Sequence, residues 1–445
     1  MYKFIKLFTF KHMFVNIKYI VKFNRNVIIM KKLDKIIFHI DVNSAFLSWT
    51  AIDLIQKGES NKDIRKIPSI IGGNSKERRG VVLAKSIPAK KYNILTGEPI
   101  SNALKKCPNL EVYEPNHKLY REYSNAMYNL LKPYSDYIER YSIDEVFMDM
   151  TYFKDNYEEK AEEIKNKIQS ELGFAVNVGI GDNKLLAKMA SDFTKKNSVH
   201  VLFKSQIKDK MWPLPVGRLF MVGKTAERKL NELNIITIED LAKYDLNILK
   251  SIFKSYGVLI YSYANGIDES PINEMNHVDV KGIGNSTTTE KDIISRREAV
   301  KTLLLLTESV TKRLREKNLL CSVIAVSIKT RNFITYSHQR SIYIPTDNTS
   351  EIYKLVVQIF DEFWKGEPIR LLGVRVCKLT CNNVHQQSIF DDEKNEKERK
   401  LDQAIDSIRN KYGELSIIRS VLLKNDENNE VKDMNLNNKF NNPWE

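Results

Sequence analysis

Adjacent carboxylates at Asp144 and Glu145 lie between two short β-rich runs in the stretch 141–149, Tyr-Ser-Ile-Asp-Glu-Val-Phe-Met-Asp. A tight turn there places both acids at the tip of a hairpin. A third acid, Asp41, ends the apolar run 36–40 and lies 103 positions before Asp144. Three acids delivered from two strand ends offer the hard oxygens that Mg2+ takes, and can hold two such ions. Each acid has a plainer reading: an Asp after a strand caps a helix, and an Asp-Glu pair in a turn is solvated. The combination tells more, provided the fold brings the two segments together.

The order of elements does so. Residues 35–42 read as a buried strand and 44–57 as a helix capped by Asn43 or Ser44. Short strands are expected at 68–71 and 80–86, then a helix at 119–132 that Pro133 stops. Strands near 136–143 and 145–150, a charged helix at 156–171, a strand at 174–180 and a helix at 183–194 follow. With 43–116 set aside as an insertion, this is a β-α-β-β-α-β order, the split βαβ pattern of an antiparallel sheet backed by helices. It places the end of the first strand beside the central hairpin, so Asp41 can meet Asp144 and Glu145.

The rest of the chain divides by character. Residues 204–270 read as short helices and 271–283 as a linker. Residues 284–381 repeat the split pattern: strand 284–293, helix 295–317, strands 320–330 and 335–344, helix 350–363, strand 370–380. In the tail 382–445, the run 391–400 is charged and reads as solvated, 401–412 as a helix, and the Asn-rich end as disordered.

Bulk composition narrows the partner. At 445 residues, two to four domains are expected. Lys and Arg number 70 against 56 Asp and Glu, a net charge of +14 that favours a polyanion, although an AT-rich coding sequence also inflates Lys. The four cysteines have neither disulfide nor zinc spacing and read as core thiols of a reducing compartment. No apolar run approaches the ~18 residues of a membrane span. The aromatic and basic leader 1–29 reads as non-native or disordered, with Met30 as the natural start; a membrane-surface anchor is the alternative.

At this point the residues meet a family. Asp41-Val42-Asn43-Ser44-Ala45-Phe46, with Ser142-Ile143-Asp144-Glu145, resembles the Y-family translesion DNA polymerases, the bacterial polymerase IV and UmuC-type members in particular, over roughly 34–412. The resemblance implies an α+β, multi-domain right hand. Its parts are a ferredoxin-like palm (30–42 and 117–203), small fingers (43–116), a helical thumb with a helix-hairpin-helix (204–270) and a βαββαβ little finger (284–381). It implies that Asp41, Asp144, Glu145 and the Val42 carbonyl hold two Mg2+ ions, and that Phe46 is the steric gate against a 2′-hydroxyl. Lys90 and Lys195 would contact the triphosphate. The loop carrying Lys90 departs from the family: Ile87 stands where a Tyr is usual, and Lys90 replaces an Arg and its bidentate fork.

The run 216–230 resembles a DNA-gripping hairpin with Gly223 and Lys224 at its turn, Met221 replacing the first usual glycine. Lys329, Arg331, Arg340 and Lys378 lie on or near little-finger strands, where basic side chains could straddle a duplex. Gln386-Gln387-Ser388-Ile389-Phe390 resembles peptides that dock on the bacterial sliding clamp, through Gln386, Ile389 and Phe390. The expected protein is therefore an error-prone, cytoplasmic, monomeric DNA polymerase. It would add dNTPs to primer-template DNA, with the clamp as partner and no membrane. A non-catalytic DNA-binding accessory protein on the same fold is the alternative, and a nucleotide cyclase lacks support from the hairpin and the second split-β unit.

Overall fold

A computed structural model of the chain describes residues 19–24, 27–32, 35–59, 62–73, 80–194, 197–272, 280–381 and 393–422. The chain divides into two compact units, one of residues 1–43 and 124–275 and one of residues 44–123 and 276–445.

The first unit is built on a five-stranded sheet in the order Val199–Leu202, Val176–Gly181, Ile37–Val42, Glu145–Asp149, Ile138–Arg140. The strand Ile37–Val42 is antiparallel to both neighbours, and only the edge strand Val199–Leu202 runs parallel to its own. The side-chain period of two sorts the central residues. Phe38, Ile40 and Val42 share one face with Val146, Met148, Val178 and Ile180. On the other face, His39 lies opposite Phe147 and Gly179, and Asp41 opposite Glu145 and Asn177. The strand Val199–Leu202 was not expected; its four residues are too few for the alternation of Val199 and Val201 to stand out.

The leader is not without structure, since Tyr19–Asn24 pairs with Val27–Lys32 in an antiparallel hairpin. Beyond the sheet, helices Lys224–Glu232, Ile238–Lys243, Leu246–Phe253 and Ser255–Ala264 form the expected helical segment. Their core residues Leu230, Ile238, Leu241, Leu249 and Ile260 join Leu186 and Met189 of helix Lys184–Ser191 in one apolar cluster.

In the second unit, Ser44 is the N-cap residue of helix Ala45–Gln56, one of the two expected, with φ at 49° and no side-chain cap hydrogen bond. The small sheet Val82–Lys85, Ser69–Gly72, Glu111–Tyr113 completes this segment. Residues 282–381 form a four-stranded antiparallel sheet in the order Gly282–Ile293, Ile369–Cys381, Leu319–Thr330, Thr335–Thr346. Helices Arg296–Glu316 and Thr349–Phe363 cover one face, over Ile324, Val326, Ile328, Val374 and Val376.

The tail departs from expectation. Its helix is Glu393–Tyr412, eight residues longer at the start, and charge rather than apolar burial docks it. Arg315 forks onto Asp406 at 2.6 and 3.1 Å and reaches Asp402 at 3.3 Å; Asp402 also accepts the Thr349 N–H. Arg399 pairs with Asp347, and Arg409 with Glu308. Arg399, Asp402, Asp406 and Arg409 thus have partners on helix Arg296–Glu316 or at the start of helix Thr349–Phe363, so these residues are not freely solvated. Cys381, expected in the core, is exposed, whereas Cys107 and Cys321 are buried. No described helix is long and apolar enough to cross a membrane.

Candidate active site

The carboxylates are placed by strand register. Asp41 lies directly opposite Glu145, and the Val42 N–H donates to the Asp144 carbonyl at 3.0 Å. The turn before Glu145 is tied by the Tyr141 and Ser142 N–H groups donating to the Glu145 carbonyl. The Ser142 hydroxyl donates to Asp144 Oδ1 at 2.6 Å. Asp41 is buried, while Asp144 and Glu145 are half-buried.

The helix Lys184–Ser191 lies directly on this face of the sheet, and two glycines allow it. A Cβ on Gly179 would stand 2.0 Å from the Ala187 carbonyl oxygen and one on Gly181 2.6 Å from the Ala187 nitrogen, so only glycine admits the helix backbone. This close seat carries Lys188 to the carboxylates: its Nζ lies 2.8 Å from Glu145 Oε1 and 3.7 Å from Asp192 Oδ2. His39, fully buried, approaches Glu145 Oε2 with Nε2 at 3.5 Å and meets Ser191 Oγ with Nδ1 at 2.7 Å. The Ser191 hydroxyl donates to the Lys188 carbonyl, so the imidazole Nδ1–H donates to Ser191. Nε2 then has no proton for Glu145 unless the ring is cationic, and it makes no hydrogen bond.

Charge balance follows from these neighbours. Burial acts to raise the Glu145 carboxyl, but the His39 and Lys188 contacts outweigh it and hold the group down at about 2. Burial raises Asp144, against the Ser142 hydrogen bond and with the help of the adjacent Glu145 charge. Burial lowers His39 against the opposing pull of Glu145, whereas Lys188 is raised because Glu145, Asp192 and Asp41 overcome its burial. Hard carboxylate oxygens of this kind suit a divalent cation. Among the described residues no three such side chains converge closely enough to hold one, and Glu145 Oε1 is paired with Lys188.

The remaining expected residues are distributed as follows. Phe46, on helix Ala45–Gln56, stacks on Tyr120 (centroids 4.5 Å apart, planes 7° apart) and meets the His117 ring edge-on. The Tyr120 hydroxyl bonds to Thr50 Oγ1, which donates to the Phe46 carbonyl. Sequence reading missed this support; the His117–Tyr120 spacing on one helix face was the available signal. Lys90 is exposed at the end of the short helix Ile87–Lys90. Lys195 lies outside the described residues, as do Gln386, Ile389 and Phe390.

Gly223 is the N-cap of helix Lys224–Glu232, and a Cβ there would meet nothing within 4 Å; Lys224 is exposed. Met221 holds φ at 74°, the conformation that suits the glycine usual there. Lys329 lies on the open face of the four-stranded sheet with Ser327, and Arg375, unnoticed in the sequence, sits beside them opposite Ala325. Arg331, in the loop after the strand Leu319–Thr330, lies 3.6 Å from Asp292. Arg340 does not belong to the open face. It pairs with the buried Ile324 in register, so its side chain turns to the helix-covered side and meets Glu362 and Gln358.

Comparison with known proteins gives the family. The profile of the impB/mucB/samB family matches residues 40–192, and that of the family's C-terminal domain matches residues 280–389. The chain is 51% identical over 397 residues to "DNA polymerase IV" of Clostridium acetobutylicum, covering 89% of this chain and all of that protein. It is 34% identical to "DNA polymerase IV" of Acetivibrio thermocellus, over 88% of this chain and 98% of the relative. Among solved structures, a Y-family DNA polymerase chimera superposes with a TM-score of 0.67 at 23% identity, over 78% of this chain and all of the chimera, a likeness of fold.

Proposed function

Because the chain belongs to the impB/mucB/samB family of Y-family DNA polymerases, we infer that it is a DNA-directed DNA polymerase of translesion synthesis. Its substrates are DNA and nucleotides, and its chemistry uses a divalent metal. The primer 3′-hydroxyl attacks the α-phosphorus of a dNTP, a P–O bond forms, and pyrophosphate leaves.

The observation that carries the reading is the facing pair Asp41 and Glu145, with Asp144 one residue before. In our reading these acids and the Val42 carbonyl hold two Mg2+ ions. Bound there, the ions would supply charge neutralisation and an activated hydroxyl. The protein's own part is positioning. Ser142 steers Asp144 by its hydrogen bond, and Phe46, held by Tyr120, would meet the sugar of the incoming nucleotide. Lys90 and Lys195 would meet the triphosphate.

For the DNA we assign the helix start at Gly223 and Lys224, whose free N–H groups suit a phosphate, and the open sheet face of Lys329 and Arg375. Arg331 remains a candidate at the loop, and Arg340 does not. Gln386, Ile389 and Phe390 would engage a sliding clamp. A cytoplasmic monomer is the form we expect to act.

Primer extension by the full chain with dNTPs and Mg2+ tests the reading. Extension is expected, and Asp144→Asn should abolish it. No extension, or extension indifferent to Asp144→Asn, would overturn it in favour of a non-catalytic DNA-binding protein.

A further inference from the structure

The carboxylate face contains one cation that the polymerase reading leaves without a task. Lys188 is 7% exposed and stands between two acids, Glu145 at 2.8 Å and Asp192 at 3.7 Å. The helix beneath it is seated against Gly179 and Gly181, and its carbonyl is bonded by Ser191, so the lysine backbone is fixed while its side chain can choose between acids. The two choices differ in surroundings. Glu145 is half-buried among the candidate metal ligands, whereas Asp192 caps the helix end with its side chain 38% exposed.

Asp41 and Glu145, facing each other across the strand pair, repel one another unless a positive charge is present. A divalent cation cannot use Glu145 Oε1 while an ammonium holds it at hydrogen-bond distance. Once displaced, that ammonium would be left buried and unpaired, at a large cost, unless a second acid receives it. Asp192, four residues on along the same helix, is placed to do so.

We propose that Lys188 is a two-position counter-cation, paired with Glu145 in the metal-free protein and handed to Asp192 when a divalent cation takes Glu145. Lys188 is then a positioning residue whose transfer sets how tightly the site holds metal. The inference rests on the metal reading of Asp41, Asp144 and Glu145 given above.

The test is Mn2+ binding by the metal-stripped full chain without DNA, read from the electron paramagnetic resonance signal of free Mn2+; this ion shares the oxygen preference of Mg2+. Asp144→Asn should weaken binding at least about tenfold, which identifies the site. Asp192→Asn should weaken it at least about threefold, because the displaced ammonium loses its receiver. Lys188→Met should tighten it at least about threefold, and adding Asp192→Asn to Lys188→Met should then change nothing further. Unchanged binding in Asp192→Asn overturns the proposal, as does an Asp192→Asn loss that persists in full without Lys188. If Lys188→Met does not fold, Lys188→Gln replaces it, and Asp192→Asn alone still decides. If Asp144→Asn binds like the unaltered chain, the metal reading itself fails; if only Asp192→Asn does, the lysine transfer alone fails.

Discussion

Asp41 and Glu145 are direct cross-strand partners on one face of the central antiparallel pair. Like charges in that relation oppose folding by roughly 0.2–1 kcal/mol. In the proposed metal site, function outweighs that cost in stability. Asp41→Asn should accordingly lose primer extension by at least about 10²-fold while gaining about 0.5 kcal/mol of stability in EDTA. Extension assays and urea unfolding of the same preparation check both signs; a variant that is both inactive and less stable would contradict the argument.

The Glu145 carboxyl gives a pH signature. Against burial, which acts to raise it, His39 and Lys188 hold it at about 2 from an ordinary value of 4.5. A carboxyl depressed on folding adds stability above its unfolded value and loses it as pH falls toward the folded one. The stabilisation is on the order of 3 kcal/mol, present above about pH 4.5 and fading toward pH 2. Glu145→Gln should therefore be less stable than the unaltered chain at pH 6, with the gap shrinking as pH falls from about 4.5 toward 2. Metal-free urea titrations across that window measure the gap, and a constant gap would place the effect elsewhere.

Two glycines on functional elements should respond oppositely to a methyl group. At Gly179 the added carbon would meet the Ala187 oxygen at 2.0 Å and the Ser191 nitrogen at 2.4 Å, both backbone atoms that can yield only if the lysine helix lifts. Gly179→Ala should cost about 3 kcal/mol and loosen the Lys188–Glu145 contact. At Gly223 the same carbon meets nothing within 4 Å, and φ is −86°. Gly223→Ala should be near neutral in stability yet weaken DNA binding severalfold, if a phosphate approaches that backbone. Thermal unfolding and DNA-binding titrations separate the two.

The same contrast shows what a reader of the sequence could and could not see. The facing of Asp41 and Glu145 and the split-β order were legible, because a register of period two and a β-α-β-β-α-β order bring those strand ends side by side; Phe46 stood out only through the family resemblance. Lys188 stood in the sequence only as one lysine of the helix expected at 183–194. Its partner became clear once Gly179 and Gly181, spaced two apart in Val-Asn-Val-Gly-Ile-Gly, were seen to admit a helix backbone. That spacing was itself a signal of close approach. Arg340 was misjudged because strand membership alone does not say which face a side chain takes; its register with Ile324 does. The tail helix was underrated because composition reports charge and not partners.

Arg315 is the partner on which that helix most depends. Its guanidinium serves Asp406 and Asp402 together while nearly buried, and also bonds the Asp347 carbonyl and Thr349 hydroxyl. Removing one member of such a group leaves the others charged and uncompensated, at about 3–5 kcal/mol. Arg315→Met should release the helix Glu393–Tyr412, read as cleavage within 393–412 by a dilute protease that spares the unaltered chain. Equal protection in both would show that apolar contacts, not this network, hold the helix.

Phe46 lies five residues after Asp41, and its ring is fixed rather than merely present: it stacks parallel to Tyr120, whose hydroxyl is tied to Thr50, with His117 at its edge. A sugar gate needs such rigidity, because a ring free to turn would yield to a hydroxyl at little cost. Phe46→Val removes the ring and should raise ribonucleotide insertion relative to deoxynucleotide insertion at least about tenfold, mainly through kcat/KM. Tyr120→Leu keeps the gate ring but removes a stack worth about 0.5–1.5 kcal/mol, so its effect should be smaller, about two- to tenfold. Single-nucleotide insertion with matched ribo- and deoxynucleotides measures both variants. Unchanged sugar selection in Phe46→Val would remove the gate role, and an effect of Tyr120→Leu larger than that of Phe46→Val would move the role to the supporting ring.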